Sequence, residues 1–201
     1  MSQPLKVGFL ASGNGSSARA VVAAIRAGEL AAEARLLVSN NRTSPALAFA
    51  AEQGLPGLHI PTQTDPNAAD VRLTQAMSDH GVELVVLSGY LRQLGPRTLS
   101  RYAGRILNIH PGPLPDFGGH GMYGRRVHEA VIAAGVAESG ICIHLVDEEY
   151  DRGPVIARRS VPLRPGDTAE ALEARVTALE PAFYVETLQR IASGELELPD
   201  A

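Results

Sequence analysis

Short apolar runs alternate with polar, glycine-containing stretches along the whole chain. Apolar runs that end at polar residues are typical of strands. Such runs predict strands at 6–11, 34–38, 58–60, 83–88, 106–110, 140–146 and 154–161. Serine or aspartate caps, with glycine stops further on, predict helices. These signals place helices at 18–27, 46–53, 69–80, from 96, at 125–134 and from 167 onward.

Two helices carry more detailed predictions. Ser16 or Ser17 is expected to cap the first helix, since either hydroxyl precedes the apolar run. Asp167-Thr-Ala-Glu170 has the spacing of a capping box and would open the last helix. Pro181 lacks a backbone N–H, so an interruption or kink is expected near it.

The alternation of strands and helices predicts an α/β fold. It would be a doubly wound, mostly parallel sheet with helices on both faces, in a single domain over 1–201. If the central strand order is 3-2-1-4-5, ligands bind beyond the carboxyl ends of the strands where the order reverses. The loops at 12–17, 89–94 and 108–115 would then share one rim.

Two polar side chains stand in the fifth predicted strand and point the same way. Asn108 and His110 alternate with apolar residues, and Pro111 restricts His110 to an extended backbone. A carboxamide beside an imidazole can supply a hydrogen-bond donor and a proton donor. Taken alone, the pair is equally consistent with satisfied polar groups at a strand end.

The loop after the first strand has the composition of an anion site. Gly13-Asn14-Gly15-Ser16-Ser17 precedes a helix, whose exposed N–H groups attract phosphate or carboxylate. The loop also matches the dinucleotide pattern G-x-G-x-x-A, but the second strand ends at 39–41 without the carboxylate that a ribose requires. An anion cradle is therefore favoured over NAD, and a merely tight turn is the alternative.

A second polar loop, at 147–153, is acidic. Asp151 precedes Arg-Gly-Pro and is placed to orient His110 or relay its proton, whereas Glu148 and Glu149 are also consistent with simple solvation. His59, His80 and His144 have no obvious partners and are expected to be structural.

Composition narrows the function classes. The chain has 201 residues, a net charge of −4 and one cysteine, which argues against nucleic-acid partners and fits the cytoplasm. No apolar segment predicts a signal peptide or a membrane span. Lys6 is the sole lysine and opens a strand, so Schiff-base, pyridoxal phosphate and P-loop chemistry have no candidate. No spacing of His, Cys and Asp predicts a metal site.

Three motifs together carry a family resemblance: Ser12-Gly-Asn-Gly-Ser16, Leu107-Asn-Ile-His-Pro111 and Asp147-x-x-x-Asp151-x-Gly-Pro154. With them, the chain resembles the phosphoribosylglycinamide formyltransferases of purine synthesis along nearly its whole length. The resemblance implies a Rossmann-like formyltransferase fold. It also implies transfer of a formyl group from 10-formyltetrahydrofolate, a co-substrate, to the amine of glycinamide ribonucleotide.

The resemblance also assigns roles to residues. Asn108 and His110 would stabilise the tetrahedral oxyanion, and Asp151 would assist proton transfer. The substrate phosphate would bind the loop at 13–17, and Glu180 would contact the same substrate. The folate would bind two segments, formed by Leu91, Arg92, Gln93 and Leu94 and by Asp147, Glu148, Glu149 and Tyr150. No metal or membrane is implied. The sequence leaves the oligomeric state open, with a homodimer as one option.

The chain departs from the family pattern at three places, one of which is Thr177, where some members carry a glutamine. The loop at 117–124 is long, and its His120 would either contact substrate or, as we favour, cap a mobile lid. Residues 65–70 contain no arginine to contact the folate, as the family has there. Competing functions are another folate-dependent N-formyltransferase, acting on a nucleotide-sugar amine, and more remotely an NAD-dependent dehydrogenase or a non-catalytic nucleotide-binding module.

Overall fold

The structure is a computed structural model that describes residues 3–199. Its strands are β1 Leu5–Leu10, β2 Ala32–Ser39, β3 Gly57–His59, β4 Leu84–Leu87, β5 Ile106–His110, β6 Glu138–Leu145 and β7 Val155–Pro162. Its helices are α1 Ser16–Arg26, α2 Pro45–Glu52, α3 Pro66–Asp79, α4 Pro96–Arg101, α5 Arg125–Ala134 and α6 Ala169–Ala192. Each predicted strand and helix is present, with ends that move by up to a few residues.

All the strands form one sheet in the order β3-β2-β1-β4-β5-β6-β7. The strands from β3 to β5 run parallel, and β6 and β7 add an antiparallel pair beside β5. The predicted central order 3-2-1-4-5 is confirmed, as is the mostly parallel sheet. The order reverses between β1 and β4, so their carboxyl ends flank a crevice.

Helices cover both faces of the sheet, because buried residues alternate along the central strands. In β4, Leu84 and Val86 join a core beneath α1, α2, α5 and α6, whereas Val85 and Leu87 join a core beneath α3. Gly8 in β1 lies so close to α3 that a Cβ atom there would be 2.6 Å from the sulfur of Met77. The predicted two-sided arrangement is therefore confirmed.

Two helix starts differ from the prediction, and the interruption predicted near Pro181 is absent. The N-cap of α1 is Gly15, with φ 65°, and no side chain caps it, so neither Ser16 nor Ser17 does. The N-cap of α6 is Thr168, whose hydroxyl accepts from Ala171 N, because Asp167 is engaged by Arg175. Pro181 lies inside α6 without ending it, since buried residues on both sides hold the helix against the sheet.

The rim loops that follow β1 and β4 contact each other directly. Ser12 N donates to Gly89 O at 3.1 Å, and Ala18 N donates to the Ser88 hydroxyl at 3.0 Å. The crevice between these strands is thus bordered by the loop that precedes α1. Among residues 3–199, no helix is both long and apolar enough to cross a membrane.

Candidate active site

Asn108 and His110 lie on β5 and share one face of the sheet, because they are two residues apart. The parallel partner of Asn108 is Leu87, and the antiparallel partners on β6 are His144 for Asn108 and Cys142 for His110. His110 is the last residue of the strand, so it still belongs to the sheet. The backbone is therefore paired with β4 and β6 at Asn108, and with β6 at His110.

The imidazole of His110 is buried, with 3% of its surface exposed, and both of its nitrogens face oxygen atoms. Nε2 lies 2.7 Å from the carbonyl oxygen of Phe117, and Nδ1 lies 3.4 Å from Asp151 Oδ2. Burial lowers the pKa of His110, although the charge of Asp151 and the Phe117 carbonyl raise it in part. The two acceptors favour an imidazolium, but burial is the larger effect and sets the direction of the pKa shift.

Asp151 is held in a backbone conformation that few residues other than glycine adopt, with φ 57°. Its Oδ2 accepts from Gly119 N at 3.0 Å. Burial alone raises the pKa of Asp151, but contacts with His144, His110 and the Gly119 amide together lower it below its usual value. The side chain therefore places a carboxylate with a lowered pKa beside the His110 imidazole, and the two groups can share one proton.

His144 also belongs to this cluster, although its sequence context indicated a structural role. Its Nδ1 donates to Leu145 O at 2.9 Å, and its Nε2 lies 3.1 Å from Asn108 Nδ2. The same Nε2 lies 3.4 Å from Asp151 Oδ1. His144 thus contacts both the carboxamide of Asn108 and the carboxylate of Asp151. The prediction that His144 lacks partners is wrong.

Sequence reasoning missed His144 because its position depends on strand register. The pairing of Asn108 with His144 joins strands that are separated by a long loop and a helix, and no turn motif sets that register. The alternation of β6 predicted a strand there. It could not indicate which residue of β5 lies opposite.

The loop at 13–17 presents backbone N–H groups at the start of α1. Arg19 N donates to Gly15 O and Ala18 N to the Ser88 hydroxyl, whereas the N–H groups of Ser16 and Ser17 have no hydrogen-bond partner among residues 3–199. Unpaired N–H groups at a helix start can bind an anion. Gly15 has a positive φ, and a Cβ atom there would be 3.2 Å from that of Ala46. Only glycine fits this corner without strain.

The two segments that were predicted to bind folate contact different parts of the structure. A cavity of about 360 Å³ is lined by Gln93 and Leu94 of the first segment, with Tyr90, and by residues of α3 and the end of β2. Nothing from 147–150 lines it. Leu91 and Arg92 are exposed on the rim, and 67% of the Leu91 surface is accessible.

The second segment joins the loop at 117–124 instead. Glu149 N bonds Asp147 Oδ1 at 3.0 Å, and the exposed ring of Tyr150 meets the ring of His120 edge-on at 5.9 Å. Together with the bond from Gly119 to Asp151, this contact draws the loop at 117–124 over the catalytic candidates.

Glu180 stands apart from the cluster in its interactions. It lies on α6 and is half-buried. Within residues 3–199 its carboxylate makes no hydrogen bond or ion pair with another residue. Burial raises the pKa of Glu180 to about 7. No group of three or more His, Cys, Asp and Glu side chains in the described part of the chain could hold a metal ion.

A family model described as formyl transferase matches residues 5–188. The chain belongs to the formyl transferase family. The resemblance drawn from the three sequence motifs is thereby confirmed, and so is the Rossmann-like fold that it implied.

Relatives of this formyl transferase include a phosphoribosylglycinamide formyltransferase from Haemophilus influenzae. That protein is 32% identical, over 97% of this chain and 91% of the relative. A chloroplastic phosphoribosylglycinamide formyltransferase from Vigna unguiculata is 37% identical over 95% of this chain, which spans 62% of the relative's length. The crystal structure of glycinamide ribonucleotide transformylase 1 from Symbiobacterium toebii superposes with a TM-score of 0.89 and 30% identity, over 99% and 92% of the two chains.

Proposed function

We propose that this formyl transferase moves a formyl group from 10-formyltetrahydrofolate to the amine of glycinamide ribonucleotide, a step of de novo purine biosynthesis. The convergence of Asn108, His110 and Asp151 beside an anion-binding loop is the observation that carries this proposal. A phosphate on the amides of Ser16 and Ser17 would anchor the ribonucleotide at the crevice. The names of the relatives support the same reaction.

The cavity beside the first predicted folate segment, residues 91–94, suits a folate ring. The cavity beside Leu94 has apolar walls, and the buried hydroxyl of Thr62 has no partner within residues 3–199, so it can bond a polar ring edge. The bound folate would supply the formyl group. The segment at 147–150 would then contact a part of the folate that lies outside this cavity.

Asn108 would stabilise the charge that develops on the formyl oxygen when the amine attacks. Its carboxamide is held by contact with His144. A preorganised N–H donor at such a position is typically worth about 3 kcal/mol of barrier. His110 would donate to the same oxygen after its Nε2 exchanges the Phe117 carbonyl for the substrate. The amine forms the new C–N bond first and gives a tetrahedral oxyanion. Collapse of the oxyanion then breaks the bond to N10, which leaves as tetrahydrofolate after it gains a proton.

Asp151 would control the proton in this exchange. The amine must lose a proton and N10 must gain one, and the His110 imidazole paired with the Asp151 carboxylate can carry that proton between the two events.

The test uses the purified chain with glycinamide ribonucleotide and 10-formyltetrahydrofolate, and follows loss of the formyl donor. A matched reaction replaces the ribonucleotide with a nucleotide-linked amino sugar. Turnover with the ribonucleotide alone is expected. Turnover only with the amino sugar, or with neither acceptor, would contradict the proposal. A cytoplasmic location and a homodimer also remain proposals, which fractionation and sedimentation can test.

A further inference from the structure

One hydroxyl group joins three of the rim loops. Ser12 follows β1, which lies between β2 and β4 in the sheet. Its Oγ donates at 2.6 Å to Oδ1 of Asn40, in the loop after β2. The same oxygen accepts from Leu91 N, in the loop after β4, at 2.8 Å. A serine hydroxyl has one donor and two acceptor sites, so Ser12 uses most of its capacity on these two loops.

The backbone around Ser12 strengthens this junction. Ser12 N donates to Gly89 O at 3.1 Å, and Gly13 O accepts from Ala46 N at 3.1 Å. Ser12 is therefore attached to the loop after β4 by both its backbone and its side chain. The residue after it is the first of the anion-binding loop, and its partner Leu91 is the first of the folate segment.

These contacts connect two ligand sites that do not overlap. The anion-binding amides belong to Ser16 and Ser17, whereas the cavity beside Leu94 lies between β2, α3 and the loop after β4. Leu91 is largely exposed, and the hydrogen bond to Ser12 is the bond that its amide makes with the rest of the rim. A ligand that orders one loop consequently restrains the other through Ser12.

Resting on the proposed function, we propose that Ser12 is a positioning residue that couples the two substrates. Binding of the ribonucleotide phosphate at 13–17 favours folate binding at 91–94, and the reverse holds by the same factor, because coupling between binding sites is reciprocal. Such coupling usually amounts to roughly 5- to 150-fold in affinity. Ser12 contacts neither reacting atom in this scheme.

The experiment measures the affinity for glycinamide ribonucleotide by calorimetry, with and without saturating tetrahydrofolate, which carries no formyl group to transfer. In the wild type, tetrahydrofolate should tighten ribonucleotide binding by about five-fold or more. Ser12→Ala should reduce this factor to near one, and Ser12→Thr, which keeps the hydroxyl, should restore most of it.

Two further variants separate coupling from folding. Asn40→Ala removes one of the two partners and should give an intermediate factor, even if Ser12→Ala unfolds. Thr43→Val removes a hydroxyl whose one hydrogen-bond partner within residues 3–199 is Asn41 of the same loop. This variant should leave the factor unchanged. Thermal unfolding of each variant accompanies the titrations.

The outcomes are distinct. If the wild type turns over both substrates but Ser12→Ala or Asn40→Ala keeps the full coupling factor, the role of Ser12 is refuted while the proposed function stands. If the two ligands bind the wild type independently, the coupling role of Ser12 is likewise refuted and the proposed function still stands. A wild type that neither binds the ribonucleotide nor turns it over refutes the proposed function, and the coupling with it.

Discussion

At the scale of single residues, the site depends on groups whose protonation is set by burial. Burial lowers the pKa of His110 and raises that of Glu180 to about 7, whereas contacts lower the pKa of Asp151. His110 could be selected from sequence because it precedes Pro111, Asn108 because it alternates with His110, and Asp151 because it stands in a polar loop before Arg-Gly-Pro. Their charge states could not, since burial arises only when the loop at 117–124 packs over them.

Replacement of Asp151 with asparagine should abolish most of the turnover. The side chain keeps its shape, and asparagine tolerates the positive φ of this position, so the free energy of unfolding should change little. The carboxylate that holds the transferred proton is lost, and kcat should fall by about 100-fold or more. His110→Ala should behave similarly in the same assay.

Asp116→Asn is the matched control for this loss of charge. Asp116 is exposed on the neighbouring loop and has no predicted role, so kcat should stay near that of the wild type. Turnover like that of the wild type in Asp151→Asn would contradict the assignment of Asp151.

Glu180 should make the stability of the protein fall as the pH rises. Its pKa is about 7 in the folded state against an ordinary 4.5, so between these values the folded state binds the proton more tightly than the unfolded state. Glu180→Gln removes this penalty and should be the more stable protein at pH 8, by an amount on the order of 3 kcal/mol. The difference should vanish below pH 4.5.

Urea unfolding at a series of pH values measures this difference. Glu52→Gln alters an exposed glutamate and should give a difference that hardly varies with pH. A constant difference for Glu180→Gln across the same range would show that Glu180 ionises normally in the folded state.

At the scale of elements, strands and helices could be predicted from local signals, whereas contacts between them could not. Ser44 before Pro45 indicated the start of α2 because a cap acts within one turn. The buried carboxylate of Asp70 on α3 instead caps α4, by accepting from Arg97 N at 2.9 Å and Thr98 N at 3.0 Å. Such a cap between helices leaves no signal in either segment, as with the register that places His144 beside Asn108.

Gly95→Ala should destabilise the protein through this cap. A Cβ atom at Gly95 would be 2.2 Å from Asp70 Cγ, and Asp70 cannot retreat without breaking its bonds to α4. The free energy of unfolding should fall by about 1–3 kcal/mol, as for overpacked cores. Chemical unfolding measures the loss.

Gly13→Ala serves as the control for Gly95→Ala. A Cβ atom at Gly13 meets no atom within 4 Å, and its φ is not in the left-handed region, so stability should be nearly unchanged. Equal stability of the two variants would mean that α3 and α4 yield freely at this contact.

At the scale of the whole molecule, topology determines which loops can cooperate. The sheet order brings the ends of β1, β4 and β5 to one rim, although they are far apart in sequence. This arrangement followed from the alternation of elements, because parallel sheets obey few connection rules. The single-domain range 1–201 stays a prediction, and its ends lie outside the described residues.

Ligand stabilisation of the intact protein should distinguish the substrate classes. Glycinamide ribonucleotide and tetrahydrofolate should each raise the melting temperature, since a ligand at 100 times its Kd adds about 2.7 kcal/mol to the folded state. NAD should not, because β2 ends at Ser39-Asn40 without a carboxylate for its ribose. A thermal shift with NAD but with neither substrate would reverse the assignment of the crevice.

The pairing of Cys142 with His110 offers a built-in reporter. The chain has one cysteine, it is buried with 2% exposed, and burial raises the pKa of its thiol, so it reacts slowly while β5 and β6 stay paired. A thiol reagent will therefore label the protein only when this strand pair separates. Labelling rates, read by mass spectrometry without any engineered tag, would time the opening of the catalytic strand and reveal how far bound substrates slow it.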